Sequence, residues 1–289
     1  MKLCDICAAP CFPTAGNFEL PPPGATRDGL KFATEQDRDF YAVLLNNHPP
    51  MHRSTLNPKV AVVGLSPAGN QIDEFVAAYS RSGDYGVASV AGAFAGLAGS
   101  IIAMMQGLGL SEKLGVSFPP STLARHPDVY VTSLVACATL DTAGGSDAFN
   151  PLKYGSASRC IADRFLDEML APSFNNLRAV LILGSDGWQA VNSWRLPSGH
   201  TVAERLRSAG KLVAPLPHPS GQNGEYVALA SFTPQEFPTC EAYVTSCWEK
   251  YKNKPPRKGR AKQTERLYTN KRRTAWLTVD ELRRQVSQL

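Results

Sequence analysis

Val60-Ala-Val-Val-Gly-Leu-Ser-Pro-Ala-Gly69 runs from an apolar, β-branched stretch into a small polar loop, and Leu212-Val-Ala-Pro-Leu-Pro-His-Pro-Ser-Gly-Gln-Asn223 repeats that plan far along the chain. In an open α/β sheet the ligand crevice lies beyond the carboxyl ends of the strands, so loops leaving two such strands can face one pocket. Working outward, Val129-Tyr-Val-Thr-Ser-Leu-Val135 and Ala179-Val-Leu-Ile-Leu183 read as two more strands. The expected strands are therefore Val60 to Leu65, Val129 to Val135, Ala179 to Leu183 and Leu212 to Leu216. Helical patterns alternate with them. Ile161 to Leu170 is one, with Ile161, Phe165, Leu166 and Met169 on a single face. The alternation predicts an α/β protein, a three-layer α/β/α sandwich around a central, mainly parallel four-stranded sheet.

With 289 residues, 43% of them hydrophobic and 19% charged, the chain has the composition of an ordinary soluble globular protein. No basic segment followed by an apolar run opens it, so a cytoplasmic protein is expected. Tyr85 to Ser111 carries no charge and exceeds the length of a membrane span, but its Gly, Ala, Ser and Gln content makes it weakly hydrophobic. We read it as a buried helix and expect no membrane association. Residues 1–50 form a Cys- and Pro-rich accessory segment in which Glu35 to Asn46 suggests a short helix. Residues 51–248 form the central domain and residues 249–289 a basic tail. Charge is distributed unevenly. Residues 1–249 hold 17 Lys and Arg against 22 Asp and Glu, whereas residues 250–289 hold 13 against 3. Lys250 to Lys262 is too polar and Pro-rich to pack as core. Thr278-Val-Asp-Glu281 has the form of a capping box and predicts a short C-terminal helix ending near Gln288.

Seven cysteines in a chain of this kind point to metal or simple burial rather than disulfides. Cys4-Asp-Ile-Cys7 has the spacing at which two thiolates reach one metal. Cys240 and Cys247, seven apart on an expected helix, read as packed.

The two loops together resemble the motifs of the uracil-DNA glycosylase superfamily. Gly64-Leu-Ser-Pro-Ala68 is similar to its Gly-x-x-Pro-(Gly/Ala/Tyr) motif after the first strand, and His218-Pro-Ser220 to its His-Pro-Ser after the last. Phe94-Ala-Gly-Leu-Ala-Gly99 looks like the family's Phe-x-Gly-x-Ala-Gly stretch, followed by the apolar helix Ile101 to Met105. The resemblance covers roughly residues 55–232, in order. It is nearest to the family 4 and family 5 type, in which an N-terminal Cys-x-x-Cys, a Cys after the second strand and a Cys opening the next helix hold a [4Fe-4S] cluster. That implies Cys4, Cys7, Cys137 and Cys160 as ligands, with Cys11 a substitute; zinc or unligated thiols are the alternatives.

The resemblance also implies roles in breaking the bond between sugar and base. His218 stabilises the departing base by a hydrogen bond or positive charge. Phe94 stacks on the flipped base, within a pocket that includes Gly64, Leu65 and Pro67. Ser220, Gln222, Asn223 and Tyr226 lie where the family meets phosphate and fills the space left by the extruded nucleotide. Three positions depart from the uracil-specific pattern. Ser66 replaces the water-activating Asp or Asn, leaving Asn70, Asp84 and above all Asp73 as candidates to handle water. Ser133 replaces the base-reading Asn, exchanging a fixed amide for a rotating hydroxyl. Ala68 replaces the Tyr that blocks pyrimidine C5.

The basic tail, with Lys258, Arg260, Arg272 and Arg273 and with Tyr251, Tyr268 and Trp276 interleaved, reads as a sequence-independent phosphate binder. The expected activity is that of a monomeric, monofunctional DNA glycosylase acting on a modified pyrimidine, such as the C5-substituted or glucosylated hydroxymethylcytosine of phage DNA. Some members of the superfamily excise such bases in defence. Repair of uracil or deaminated bases, and a silent metal-containing DNA-binding module, are the alternatives. A serine hydrolase is disfavoured because Ser66 precedes Pro67 and lacks the Gly-x-Ser-x-Gly elbow.

Overall fold

A computed structural model describes residues 18–45, 57–67, 69–117, 123–142, 149–219, 224–231, 238–255 and 263–289. The chain divides into two units, Met1–Ala98 with Pro119–Leu216 and Gly99–Phe118 with Pro217–Leu289.

Short apolar strands build the first unit. They are β1 (Lys31–Glu35), β2 (Arg38–Leu44), β3 (Val60–Gly64), β4 (Val129–Ser133), β5 (Cys137–Asp141), β6 (Ala179–Leu183) and β7 (Leu212–Leu216). Four of them form a parallel sheet in the order β4-β3-β6-β7. The other three form a small antiparallel sheet, β1-β2-β5. Every residue of β3, β4 and β6 is buried, which is why these strands read as continuous apolar runs rather than alternating ones. Ala61, Val63, Val180, Ile182 and Val213 share one apolar cluster with helical Ile161, Phe165, Met169, Val191 and Leu206.

The helices are α1 (Gly69–Ser82), α2 (Tyr85–Gly92), α3 (Ala98–Gly107), α4 (Leu110–Leu114), α5, α6 (Ser185–Ser193), α7 (Val202–Ser208), α8 (Gly224–Ser231), α9 (Cys240–Lys252) and α10 (Glu265–Ser287). Helix α5 starts as Gly155–Arg159, widens into a π-helical segment at Cys160–Phe165 and closes as Leu166–Leu170. Among the described residues no helix is long and apolar enough to cross a membrane.

Three sequence expectations need correction. Glu35 to Asn46 is not a helix where described: Gln36-Asp37 turns β1 into β2, with Glu35 opposite Arg38 and Gln36 at φ 55°. Phe40, Tyr41 and Val43 favour a strand, and full burial of β2 removed the alternation that would have revealed it. Tyr85 to Ser111 is broken rather than one helix, because Phe94 at φ 52° and Gly96 at φ 73° turn the chain between α2 and α3. The C-terminal helix starts at Glu265, capped by Thr264, and not at Thr278. Thr278 lies within it and donates its hydroxyl to the Thr274 carbonyl. Tyr268, Ala275, Trp276, Val279, Leu282 and Val286 form the buried stripe that holds this otherwise polar helix in place.

Candidate functional site

Chain order within the parallel sheet locates the crevice. From β3 the chain goes to β4 on one side and returns to β6 on the other, so the order reverses at β3. Ligands of open α/β sheets bind beyond the carboxyl ends of the strands at such a switch point. Gly64, Leu65, Ser66 and Pro67 leave β3 there.

Three residues singled out in the sequence meet at this end of the sheet. A Cβ built on Gly64 would lie 3.3 Å from Ser133 Oγ and 3.4 Å from the Phe94 ring. Gly64 and Ser133 are register partners across β3 and β4. Phe94 is carried in by the left-handed turn after α2, a conformation costing of order 1–3 kcal/mol for a non-glycine residue. The ring and hydroxyl are almost buried, at 6% and 7% exposed for their residues.

Hydrogen bonds hold the surrounding loops. The Leu134 N–H donates to the Gly64 carbonyl at 2.8 Å and the Val135 N–H to the Leu65 carbonyl at 2.9 Å, so pairing continues past the last regular residues of β3 and β4. Ser66 Oγ lies 3.0 Å from Thr139 Oγ1 on β5. The two antiparallel strands before β3 thus frame the same region through β5, which pairs with β2.

The candidate water-handling groups are placed apart from this convergence in character. Asp73 is exposed on α1 and ion-paired with Arg27. Asn70 is exposed in the first turn of α1, and Asp84 caps α2 by accepting from the Val87 N–H at 3.0 Å. Ala68 lies outside the described residues.

His218 follows β7 by two residues and belongs to the second unit. His218 is exposed, yet desolvation by the surrounding protein lowers its pKa below the ordinary histidine value. A neutral imidazole at pH 7 supplies an N–H donor rather than a standing positive charge. Ser220, Gln222 and Asn223 lie outside the described residues. Tyr226 is half-buried on α8.

Of the four expected metal ligands, Cys4 and Cys7 lie outside the described residues, as does Cys11. Cys137 opens β5 and Cys160 opens the π-helical segment of α5; both are buried. Cys160 Sγ accepts from the Ala136 N–H at 3.4 Å and from Arg164 Nε at 3.3 Å. Two donors, one of them cationic, suit a sulfur that carries negative charge, as a metal-bound thiolate does. Among the described residues there is no group of three His, Cys, Asp or Glu side chains able to hold a metal. Cys240 and Cys247 lie on α9, partly buried, as the seven-residue spacing suggested.

In the second unit the aromatic residues of the basic tail serve packing. Tyr251 stacks on Tyr268 at 3.9 Å and Tyr243 lies against Trp276 at 5.7 Å, joining α9 to α10. Arg272 ion-pairs with Glu225 at 3.0 Å and lies 3.2 Å over the Tyr268 ring. Arg273 grips both oxygens of Glu241, at 2.9 and 3.1 Å. These two arginines are therefore already engaged, whereas Lys271, Arg266 and Lys254 are exposed. Lys258 and Arg260 lie outside the described residues.

Sequence reasoning did not single out Arg164 or Thr139. The pattern Cys160-x-x-x-Arg164-x-x-x-Glu168, with its i,i+4 spacings on one helix face, would have placed the first beside Cys160 and Glu168, though not beside the carbonyls it reaches. Nothing local marked Thr139, whose partner is 73 positions away. No protein-family model matches this chain, and no curated protein matches it in sequence.

Proposed function

We propose that the protein is a monofunctional DNA glycosylase that extrudes a modified pyrimidine from DNA and hydrolyses its bond to the sugar, leaving an abasic site. The observation that carries this reading is the convergence of the Phe94 ring and the Ser133 hydroxyl on Gly64 at the switch point of the parallel sheet. An aromatic face beside a polar group, with a glycine opening the space between them, suits a flipped base that must be stacked and read at its edge. The motifs in order along the chain, and the all-parallel sheet beneath them, support membership of the uracil-DNA glycosylase superfamily with its three-layer α/β/α arrangement.

In this reading water adds its oxygen to C1′ as the bond from C1′ to the base nitrogen breaks; the base departs with the bonding pair, the water's surplus proton passes to solvent, and the base anion takes up a proton from solvent once released. His218 donates a hydrogen bond to the leaving base, consistent with an imidazole that desolvation keeps neutral. Ser66, held by Thr139, orients water without serving as a strong base. Asp73 and Asn70 remain the nearest candidates along α1 to assist, Asp73 once released from Arg27.

Cys4, Cys7, Cys137 and Cys160 would hold a [4Fe-4S] cluster or zinc. Either group would supply a covalent tie between the N-terminal segment and the core. The donors on Cys160 fit an anionic sulfur. DNA is the partner, met in part by the exposed Lys254, Arg266 and Lys271.

Ala68 and Ser133, in place of larger or more selective residues, favour a base with a bulky C5 substituent, such as the hydroxymethylated or glucosylated cytosine of phage DNA. Uracil repair is the second reading, since a small residue at Ala68 permits a large base without requiring one. Incubation with duplexes carrying uracil, hydroxymethylcytosine or glucosylated hydroxymethylcytosine, followed by alkaline cleavage, separates them. Strand breaks at C5-substituted cytosine support the first reading, breaks only at uracil the second, and DNA binding without breaks a silent module.

A further inference from the structure

We propose that Arg164 is a positioning residue that ties the helix bearing Cys160 to the pocket wall at Ser133; its consequence for excision rests on the glycosylase reading above. Its side chain is 4% exposed, and each of its five N–H donors has a partner. Nε donates to Cys160 Sγ at 3.3 Å. Nη1 donates to Glu168 Oε2 at 2.7 Å and to Thr132 Oγ1 at 3.4 Å. Nη2 donates to the carbonyls of Ser133 and, at 2.9 Å, Leu134.

The placement of those two carbonyls gives the arginine its role. Among the described residues β4 is an edge of the parallel sheet, and at its end Arg164 takes the carbonyls of Ser133 and of Leu134 just beyond it. On the other side, Leu134 and Val135 donate to Gly64 and Leu65. The end of β4 is therefore gripped from both sides, by the loop leaving β3 through its N–H groups and by Arg164 through its C=O groups. Ser133, whose hydroxyl faces Gly64, sits between the two grips.

A buried ion pair is a poor way to gain stability alone, because apolar residues of similar volume hold a helix to a sheet as well or better. What Met or Leu cannot supply is a planar fork that fixes two carbonyls and a sulfur at once. The widened π-helical turn at Cys160–Phe165 carries both the sulfur and the guanidinium to this spot.

Hydrogen exchange of the full chain, read by mass spectrometry, tests the assignment with Arg164→Lys and with the paired replacement Arg164→Met, Glu168→Leu. The second variant retains an apolar filling, so the fold survives the loss of the fork. Exchange at Leu134 and Val135 should accelerate at least tenfold in both variants while β6 is unchanged. Unchanged exchange at these two amides, or equal acceleration across the whole sheet, would overturn the positioning role. On the wild type's preferred DNA, both variants should lose at least tenfold in single-turnover excision at unaltered DNA affinity; full-rate excision would overturn the link to the pocket. A wild-type protein that excises no base would remove the glycosylase reading, and the exchange result would still decide the role of Arg164.

Discussion

Ser66 Oγ and Thr139 Oγ1 lie 3.0 Å apart, joining the loop that leaves β3 to a strand of the antiparallel sheet. The hydroxyl at the position expected to handle water is thus held by a second hydroxyl rather than turning freely. In the proposed glycosylase a carboxylate there would act as a base, and a paired serine would act by orientation.

Thr139→Val should therefore slow excision about fivefold, the effect of losing one neutral hydrogen bond worth about 1 kcal/mol. Ser66→Ala should slow it at least as much, since it also removes the hydroxyl that orients water, and the double variant should be no slower than Ser66→Ala alone, because Thr139 acts through Ser66. Single-turnover rates at saturating protein provide the comparison. Additive losses would show that the two hydroxyls act separately.

Gly64 is the floor between Phe94 and Ser133, where an added Cβ would already stand 3.3 Å from the serine hydroxyl. Gly64→Val should overpack this corner at a cost of about 1–3 kcal/mol in stability and close the space for a base. Excision should fall more than tenfold at temperatures where the variant remains folded by circular dichroism. Full activity would place the base elsewhere.

Desolvation lowers the pKa of His218, so folding favours its neutral form. Its unfolded value is about 6.5, and between the folded value and pH ~6.5 the unfolded chain binds more protons than the folded one. Stability from this group is complete above pH ~6.5 and is lost as pH falls through the folded value. The melting temperature of the wild type should accordingly drop further between pH 7.5 and pH 5 than that of His218→Asn. Parallel drops in the two proteins would mean that the imidazole titrates as it does in water.

Arg272 and Lys271 are neighbours with opposite expected roles. Arg272 is inside the packing of α10, paired with Glu225 and stacked on Tyr268, and its replacement by Ala should cost about 1.5–3 kcal/mol of stability. Lys271 is exposed, so Lys271→Ala should leave the melting temperature within a degree or so while reducing the salt dependence of DNA binding by about one counterion. Thermal melts and binding titrations at several salt concentrations distinguish the two.

The parallel sheet was legible because its strands are short apolar runs, fully buried in β3, β4 and β6 and mostly so in β7: Ala179 to Leu183 and Leu212 to Leu216 coincide with β6 and β7. Val60 to Leu65 and Val129 to Val135 overrun β3 and β4 by one and two residues, where loop hydrogen bonds prolong the pairing without regular geometry. The β1–β2 hairpin was not legible, since its turn depends on Gln36 in a left-handed conformation that the residue type does not announce. The long α10 was missed because its apolar residues are sparse and become a stripe only against α8 and α9. At the candidate site, Gly64, Phe94 and Ser133 could be named from motifs, and the structure brings them together. Arg164 acts through backbone carbonyls some 30 positions away, a relation that local pattern does not contain.

The most direct test of the account is detection of the free base. Duplex DNA containing glucosylated hydroxymethylcytosine, and a matched duplex containing uracil, would be incubated with the full-length protein and the small-molecule fraction examined by mass spectrometry. The account predicts release of the intact C5-substituted base, in step with abasic sites in the DNA, and loss of that release in His218→Ala. Bound DNA with no base released from either duplex would contradict it.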